Sequence, residues 1–417
     1  MKRSIVLGVL ALAALVSRAE AQLTMQMSNG WSFSFSGNVN AFLTYESVSK
    51  SGQTGVIPGV VLVPDSANRF NQTRIQTGLL PAFAVFDAKG KEGNTDLGVH
   101  FGFAPQINCA SGVHDCFGAQ IDMRQVYLTA GGKWGQILAG RELGLFLRQN
   151  ILTDQTLFGV GATGAGGPGT GAGTTLGRIG FGYVYPQFKA QFTYSTPGGK
   201  ASQLSVGIFE AASISDLSGG FAYFTTEIPR LEAEWVYNKK DFKGWLSGTV
   251  QTNKDSYDSP NKTVTVYGIG GGLRWQPKQF SITGSGYYGK GIGTTLFGLA
   301  GSSVVAADSG SRDLTKSWGY IGQVTWTPNN SKATIAGSYG SSYIEASPAA
   351  NDANGFSTKL DNTLISGGLY YQSTKSLKLV AEFDYTWSKA HFSGTGAPTA
   401  PNKNHSITPV LGVMLFF

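Results

Sequence analysis

Charged residues are scarce in this chain of 417 residues. Asp, Glu, Lys and Arg together make up 14% of it, whereas soluble domains contain roughly 25%. The formal net charge is +7, and the basic residues are spread along the chain without a run of like charge. Nucleic-acid-binding proteins instead gather Lys and Arg on one surface. The composition therefore predicts no nucleic-acid partner.

Long hydrophobic runs are also missing after residue 21, so no segment approaches the ~20 residues of a membrane-spanning helix. The first 21 residues have the three parts of a secretory signal: Lys2 and Arg3, the apolar stretch 5–16, and the small-x-small site 19–21. That apolar stretch is too short for the alternative, a membrane anchor. We expect the mature chain to begin at Gln22. Removal of the signal takes away three bases and one acid and lowers the net charge from +7 to +5.

Cysteine and histidine are rare, with two Cys and four His. Cys109 and Cys116 lie in a polar segment, and in an exported protein we expect them to form a disulfide that pins one loop. His100 and His114 are near enough in sequence to suggest a metal site instead. However, His100 falls on a predicted strand and His114 inside the cysteine loop. We therefore predict a disulfide, no metal and no other cofactor.

Glycine and aromatic residues are abundant, at 58 residues and 12%. The last thirteen residues, 405–417, have the two-residue period of a β-strand. Its apolar face carries Ile407, Leu411, Val413, Leu415 and Phe417. A strand whose apolar face has no evident core to cover makes sense if that face meets lipid.

The same alternation upstream divides the chain into sixteen predicted strands. They cover residues 31–48, 73–86, 96–103, 121–130, 136–141, 176–196, 202–211, 230–238, 242–252, 264–275, 280–288, 318–327, 332–341, 363–371, 377–388 and 405–417. In 176–196 the apolar phase slips by one residue at Pro186-Gln187, which indicates either a turn, giving 17 strands, or a bulge, giving 16. An even number is the rule for bacterial single-chain barrels, so we choose 16.

The predicted fold class is all-β: a transmembrane antiparallel β-barrel of about 16 strands, one domain over residues 22–417. A soluble β-protein would also alternate, with Glu232 and Glu234 facing bulk water. The signal peptide, the rings at strand ends and the terminal Phe417 favour a barrel in the bacterial outer membrane. Because side chains cannot fill the interior of a sixteen-stranded barrel, we expect a water-filled pore. A structural or adhesin barrel usually has fewer strands and a plugged interior.

An enzyme is the least favoured class. A membrane lipase or protease needs a nucleophile or acid pair with a His or carboxylate partner in reach. His114, His391 and His405 fall in or beside predicted loops, and the sequence has no nucleophile-elbow motif and no clustered carboxylate dyad. We predict that the protein is not an enzyme.

The strand rhythm breaks at residues 142–175. This predicted loop is about 34 residues long, against a median of ~5, and it ends in a Gly/Ala/Thr-rich tract at 159–173. Loops of that length are usually functional or disordered.

Four local motifs surround the loop. Arg74 lies in NQTRIQTGLL on the second predicted strand, Arg124 in DMRQVYLTAGG on the fourth, Arg141 in GQILAGRELG at the end of the fifth, and Arg178 in TTLGRIGFGYVYP on the sixth. With these motifs in this order, the whole mature chain resembles the Gram-negative general porins. The resemblance implies that Arg74, Arg124 and Arg178 reach the pore wall, and Gly140-Arg141 matches the glycine-arginine pair that closes the fifth strand in this family. It further implies that the loop folds into the barrel and narrows it. It also implies a homotrimer embedded in outer-membrane lipid and lipopolysaccharide.

The charges around this loop predict its selectivity. The acidic Pro-Glu-Phe-Gly-Gly motif of enterobacterial porins is absent, and the loop offers Glu142 and Asp154 as acids and Arg148 as a base. Rings of Arg or Lys favour anions. The candidate constriction residues are Arg74, Arg124, Arg141, Glu142, Arg148, Asp154 and Arg178.

We expect passive diffusion of small hydrophilic solutes and ions with a weak preference for anions. A dedicated channel for phosphate, an organic anion or a sugar is the alternative, although most rings fall on the outer phase and so do not suit a sugar. For each arginine, the alternative role is to neutralise wall carboxylates and rigidify the barrel.

Overall fold

The computed structural model describes residues 23–50, 69–108, 121–163, 174–215, 222–223, 226–254, 263–295, 297, 313–346, 348, 351–352, 355, 357–397 and 402–417. The predicted signal peptide, Cys109 and Cys116 lie outside these residues, so both expectations remain predictions. Among the described residues, no helix is long and apolar enough to cross a membrane. Nor does that part of the chain bring three or more His, Cys, Asp or Glu residues together in a way that could hold a metal ion.

Sixteen antiparallel strands of the described chain close into one barrel, as predicted. They are β1 (Ser32–Lys50), β2 (two segments, Arg69–Gln76 and Phe83–Glu92), β3 (Thr95–Pro105), β4 (Ile121–Gly132), β5 (Gly135–Leu143), β6 (Phe188–Ser195), β7 (Ser202–Phe209), β8 (Arg230–Lys239), β9 (Phe242–Lys254), β10 (Thr263–Trp275), β11 (Phe280–Lys290), β12 (Lys316–Trp326), β13 (Ala333–Glu345), β14 (Ser357–Gln372), β15 (Leu377–Ser393) and β16 (Asn402–Phe416). Each strand pairs with the next, and β16 pairs with β1 to close the ring. A short strand, Leu23–Gln26, pairs with the start of β1, and Ile214–Ser215 pairs with Ala222–Tyr223 outside the barrel sheet.

The outward face of the barrel is apolar and exposed. Leu411 of β16 is 61% exposed and Phe192 of β6 is 62% exposed, and both alternate with buried inward residues. Leaving such side chains in water would be unfavourable by about 1.5–3 kcal/mol each relative to burial, so this face suits lipid. Rings mark the short-turn end of the wall at Phe242, Trp275, Phe280 and Trp326. The lipid-facing phase predicted for the terminal strand is therefore confirmed.

The second strand is interrupted, whereas the sequence predicts it as continuous over 73–86. Residues 77–82 leave the sheet and bend inward: Leu79 and Leu80 donate their N–H groups to Gly159 (3.0 Å) and Leu157 (3.3 Å) inside the barrel. Pro81 has no N–H group and so cannot donate to a ladder. The hydrogen-bond ladder of β2 is therefore interrupted where this strand contacts the loop inside the barrel.

The sixth strand begins at Phe188, twelve residues later than the predicted 176–196. Ile179, Phe181 and Tyr183, which alternate like a strand, are buried inside the barrel instead. The phase slip at Pro186-Gln187 is the entry into β6, with φ of 62° at Gln187, and not a bulge. The strand number of 16 is unchanged, because the misassigned residues belong to the preceding loop. A register shift does occur in β4, where Met123 and Gln125 pair with consecutive residues of β3 and Arg124 is extra.

Candidate functional site

The inner loop, residues 144–187, connects β5 to β6 through the barrel interior. It is described at 144–163 and 174–187, and it ends twelve residues beyond the predicted 142–175. It carries the short helix α1 (Arg148–Thr153) and the 3₁₀ turn Gln155–Phe158. The in-folding predicted from the resemblance is confirmed.

A hydrophobic core holds this loop against the wall. Leu147, Ile151 and Leu157 of the inner loop are buried in one cluster with the inward side chains Val266 and Ile321. The core of this molecule therefore lies inside the barrel, between loop and wall. The many apolar residues at 145–160 are the sequence feature that could have indicated this core.

Two wall glycines allow the close approach. At Gly340 of β13, a Cβ atom would overlap the Phe181 carbonyl oxygen, and at Gly270 of β10 it would overlap the Leu147 side chain. Any larger residue at these positions would push the inner loop away from the wall.

Glu232 of β8 forms the first polar anchor. Its carboxylate accepts the N–H groups of Leu145 (2.7 Å) and Phe146 (2.9 Å), and it lies 3.0 Å from the guanidinium of Arg230. Buried backbone N–H groups need an acceptor, and this wall carboxylate provides it for the start of the inner loop.

Glu234, two residues along β8 and on the same face, forms the second anchor. It accepts from Arg148 (2.5 Å) and from the side-chain amide of Gln149 (3.2 Å). Arg148 therefore neutralises a wall carboxylate, which is the alternative role considered for the arginines.

Glu382 of β15 forms the third anchor, on the far side of the barrel. It accepts the N–H groups of Val160 (2.9 Å) and Gly161 (2.7 Å) and the hydroxyl of Tyr370 (2.9 Å). The inner loop is thus fastened to wall carboxylates both where it enters and where it turns back.

Asp154 and Arg178 face the wall side of the inner loop. Asp154 accepts from Thr156 N–H (2.9 Å), the Thr156 hydroxyl (2.8 Å) and Tyr183 OH (2.8 Å). Burial, and then the Asp154 charge, raises the pKa of the Tyr183 phenol well above its usual value. A carboxylate with these three donors caps the 3₁₀ turn.

Arg178 is fully buried in the inner loop and does not lie on the sixth strand as predicted. Its guanidinium donates to the Leu364 carbonyl (2.9 Å) and to the Ser338 hydroxyl, and it lies 3.9 Å from Asp154. Burial lowers its pKa, while Asp154 acts in the opposite direction. The residue clamps the returning arm of the loop to β13 and β14.

Arg74 and Arg124 lie on the opposite wall. Arg74 of β2 is half-buried on the inward phase, paired with Thr44 of β1. Arg124 is the extra residue in β4. Its Nε donates to Asp122 (2.9 Å), and its guanidinium lies 5.9 Å from the ring of Phe188. At the two predicted wall positions, Arg74 thus lies on the inward phase and the guanidinium of Arg124 is partly exposed.

Glu142 and Arg141 at the end of β5 point to different sides. Glu142 is on the inward phase and accepts from the Gln125 amide (2.8 Å) and Leu143 N–H (2.7 Å). Arg141 is exposed and shares the outward phase with Ile137, because it pairs with Val126 of β4. This phase does not favour the predicted place of Arg141 at the constriction, which stays a prediction.

Further basic residues line the interior beside the short turns. Lys243 of β9 and Arg274 of β10 are direct cross-strand neighbours on the inward phase. Lys243 donates to Gln149 (2.6 Å), and Arg274 to the Thr153 carbonyl (2.6 Å) at the end of α1. Lys378 of β15 lies 3.8 Å from the ring of Phe158. Lys189 of β6 pairs with Glu142 on the inward phase.

These anchors and bases are not among the site residues predicted from the sequence. Glu232, Glu234, Arg274, Lys378 and Glu382 could be assigned to the inward face from alternation. Nothing in their spacing indicates which of them contacts the inner loop.

Comparisons with known proteins agree with this architecture. A family model described as Gram-negative porin matches residues 7–391. No curated protein matches the sequence.

Three solved structures illustrate the shared fold. The outer membrane channel DcaP of Acinetobacter baumannii has 15% identity and a TM-score of 0.64, covering 94% of this chain and 99% of its own. The anion-selective porin from Comamonas acidovorans has 13% identity and a TM-score of 0.58, covering 93% and 100%. The trimer form of OmpT of Vibrio cholerae has 11% identity and a TM-score of 0.53, covering 93% and 100%.

Proposed function

The chain belongs to the Gram-negative porin family, and from that premise we propose that its outer-membrane channel passes small hydrophilic solutes and ions with a weak preference for anions. The uneven use of charge around the inner loop carries this proposal. The wall carboxylates Glu232, Glu234 and Glu382 bind the inner loop, whereas Arg74 and Arg124 lie on the opposite wall.

The charges of the inner loop support the proposal. Between residues 144 and 187 the sequence contains Arg148, Asp154 and Arg178 as its Asp, Glu, Lys and Arg residues. Asp154 accepts three hydrogen bonds within the loop and is buried. No carboxylate of the described loop therefore opposes the guanidinium groups of Arg74 and Arg124 across the interior.

The physical consequence is that the wall bases add a positive potential to the interior. Two unit charges 4 Å apart in water interact by about 1 kcal/mol, and more beside a low-dielectric wall. Clefts lined by one sign of charge raise the local concentration of the opposite ion. The bases Lys243, Arg274 and Lys378 beside the short turns extend the same sign along the interior.

We further propose that the mature protein begins at Gln22 and assembles as a homotrimer. N-terminal sequencing of protein from purified outer membranes, together with its mass in detergent, tests both statements. A mature protein that retains residues 1–21, or a monomeric mass, would contradict them.

The reversal potential under a salt gradient in a planar bilayer tests the anion preference. We expect the wild-type potential to have the anion-selective sign. The double variant Arg74→Gln/Arg124→Gln should shift it toward cations and raise the conductance. Lys240→Gln, on an exposed turn, is the matched control and should change neither. A cation-selective wild type, or a double variant identical to it, would refute the assignment.

A second candidate is a channel dedicated to phosphate or an organic anion. The adjacent Lys243 and Arg274 favour it, because two neighbouring bases can share one anion with several oxygens. In that case millimolar phosphate or dicarboxylate should block the chloride current, and the block should weaken in Lys243→Gln/Arg274→Gln. Equal currents with and without these anions would leave the general channel as the function.

A further inference from the structure

The chain that follows β11 turns toward the barrel interior. Gly291 and Gly293 both have a φ of 73°, a left-handed backbone that glycine adopts readily. At Gly291 a Cβ atom would also overlap the inward side chain of Val266 on β10. We define the cap segment as residues 291–295 and 297, which begin the connection from β11 to β12 at the long-loop end of the barrel.

The side chains of the cap segment are buried in the core inside the barrel. Ile292 is completely buried and Phe297 is 3% exposed, and both belong to the hydrophobic cluster that holds the inner loop. Connecting segments ordinarily run over the protein surface, where such side chains would meet water. The cap segment is therefore a second element, besides the inner loop, that occupies the lumen.

The cap segment contacts both arms of the inner loop. A Cβ atom at Gly268 of β10 would lie 2.6 Å from the Phe146 ring and 3.0 Å from the Ile292 side chain, so these two side chains meet over that glycine. On the returning arm, the Tyr185 N–H group donates to the Thr295 carbonyl (2.8 Å). The cap segment thus connects the outgoing arm and the returning arm of the inner loop.

Arg230 of β8 holds the far end of the cap segment. Its guanidinium carbon lies 4.7 Å from the centre of the Phe297 ring and 5.8 Å from that of the Phe209 ring. A cation over a ring face is attracted to it, and more strongly where water is excluded. The same guanidinium lies 3.0 Å from Glu232. Arg230 therefore links the cap segment to a carboxylate that anchors the inner loop.

The connection from β7 to β8 packs into the same region. Gln251 of β9 accepts the Ala212 N–H group (2.9 Å) and donates to the Ala212 carbonyl (2.6 Å). Ile214 is completely buried in the same hydrophobic cluster as the cap segment. Loop side chains therefore fill the lumen beside β8–β11, whereas Arg74 and Arg124 lie on the opposite wall.

We propose that the cap segment sets the size limit of the channel, because it fills the lumen along β8–β11 and leaves the side of β2–β4 for the passage of solutes. The proposal deepens the channel function proposed above and rests on it. Residues 291–297, GIGTTLF, carry no charge, so the cap segment acts on the size of a solute and not on the sign of its charge. Phe297 is the residue that determines this limit, since its ring holds the segment against Arg230.

Swelling of liposomes that contain the purified full-length protein tests the size limit with neutral sugars. The measured quantity is the permeation rate of the trisaccharide raffinose divided by that of the monosaccharide arabinose, which does not depend on the amount of protein inserted. In Phe297→Ala this ratio should rise about twofold or more, because truncation of a buried Phe leaves a gap that its surroundings close only in part. Ile292→Ala removes a smaller side chain and should give a smaller rise.

The matched control is Phe280→Ala, which removes an exposed ring at the short-turn end of β11 and should leave the ratio unchanged. Heat-dependent gel mobility verifies that each barrel is folded, and Ile292→Ala decides the question if Phe297→Ala does not fold. A wild-type ratio in the folded cap variants, or an equal rise in the control, would overturn the proposal. A wild type that admits no arabinose would refute the channel function itself, and the size limit with it.

Discussion

Two regions of the inner wall use charged side chains for different purposes. On β8 and β15, Glu232 and Glu382 accept backbone N–H groups of the inner loop. On β2 and β4, Arg74 lies on the inward phase, and Arg124 donates to Asp122 of its own strand. An inward charge therefore has no fixed role. It has a structural role where it hydrogen-bonds the inner loop, and on the opposite wall it can face the solute.

Replacing one arginine of the docked inner loop and one of the opposite wall should separate the two roles most strongly. Arg178→Met leaves Asp154 buried without its cation, and breaking a buried pair costs about 3–5 kcal/mol. Arg124→Met breaks a partly exposed pair, worth about 1 kcal/mol or less. Denaturant unfolding in lipid vesicles measures both. Equal losses would erase the distinction between the two walls.

Replacing one carboxylate on each wall should give the next largest difference between the two regions. Glu382→Ala leaves the N–H groups of Val160 and Gly161 without their acceptor, at about 1–3 kcal/mol for each unsatisfied group. We expect faster proteolysis within the inner loop and noisier single-channel currents. Asp122→Ala, which removes an acid from the other wall, is the control and should leave loop proteolysis unchanged. If both variants are cleaved at the wild-type rate, Glu382 does not anchor the loop.

The basic pair beside the short turns should affect selectivity more than stability. Lys243→Gln/Arg274→Gln should lower the anion preference, and the shift should be larger at 0.01 M salt than at 1 M because the Debye length falls from about 30 to 3 Å. Lys239→Gln/Lys240→Gln, on a neighbouring turn, supplies the control. A shift independent of salt concentration would mean that the pair acts through loop position and not through its charge.

Arg141→Gln should have the smallest effect. Its side chain shares the outward phase with Ile137, so removal of the charge should leave the reversal potential within experimental error. A clear shift toward cations would restore Arg141 to the interior wall and contradict the register.

Alternation along the strands was sufficient to predict the architecture. A two-residue period is a local property, so β16 and its lipid-facing Leu411 and Leu415 could be identified without any partner. The inward position of Glu232 and Glu234 follows from the same phase.

The inner loop could not be predicted in the same way. Ile179, Phe181 and Tyr183 lie in a narrow segment that packs between the wall and the outgoing arm of the loop. The apolar residues of this segment recur every second position, which is also the period of a strand. The interruption of β2 depends on Gly159 and Leu157, which accept its N–H groups from another part of the chain. Arg178 was assigned to the wall because this period predicted a strand over residues 176–196.

The interrupted β2 and the distant anchors also set an order of events during assembly. The carboxylate of Glu382 and its partner Gly161 are separated by 221 positions in the chain, whereas adjacent strands of one hairpin can pair as soon as both exist. Contacts of such separation form slowly because their loop-closure entropy must be met first. We therefore expect the loop to dock late, after β15 has joined the sheet.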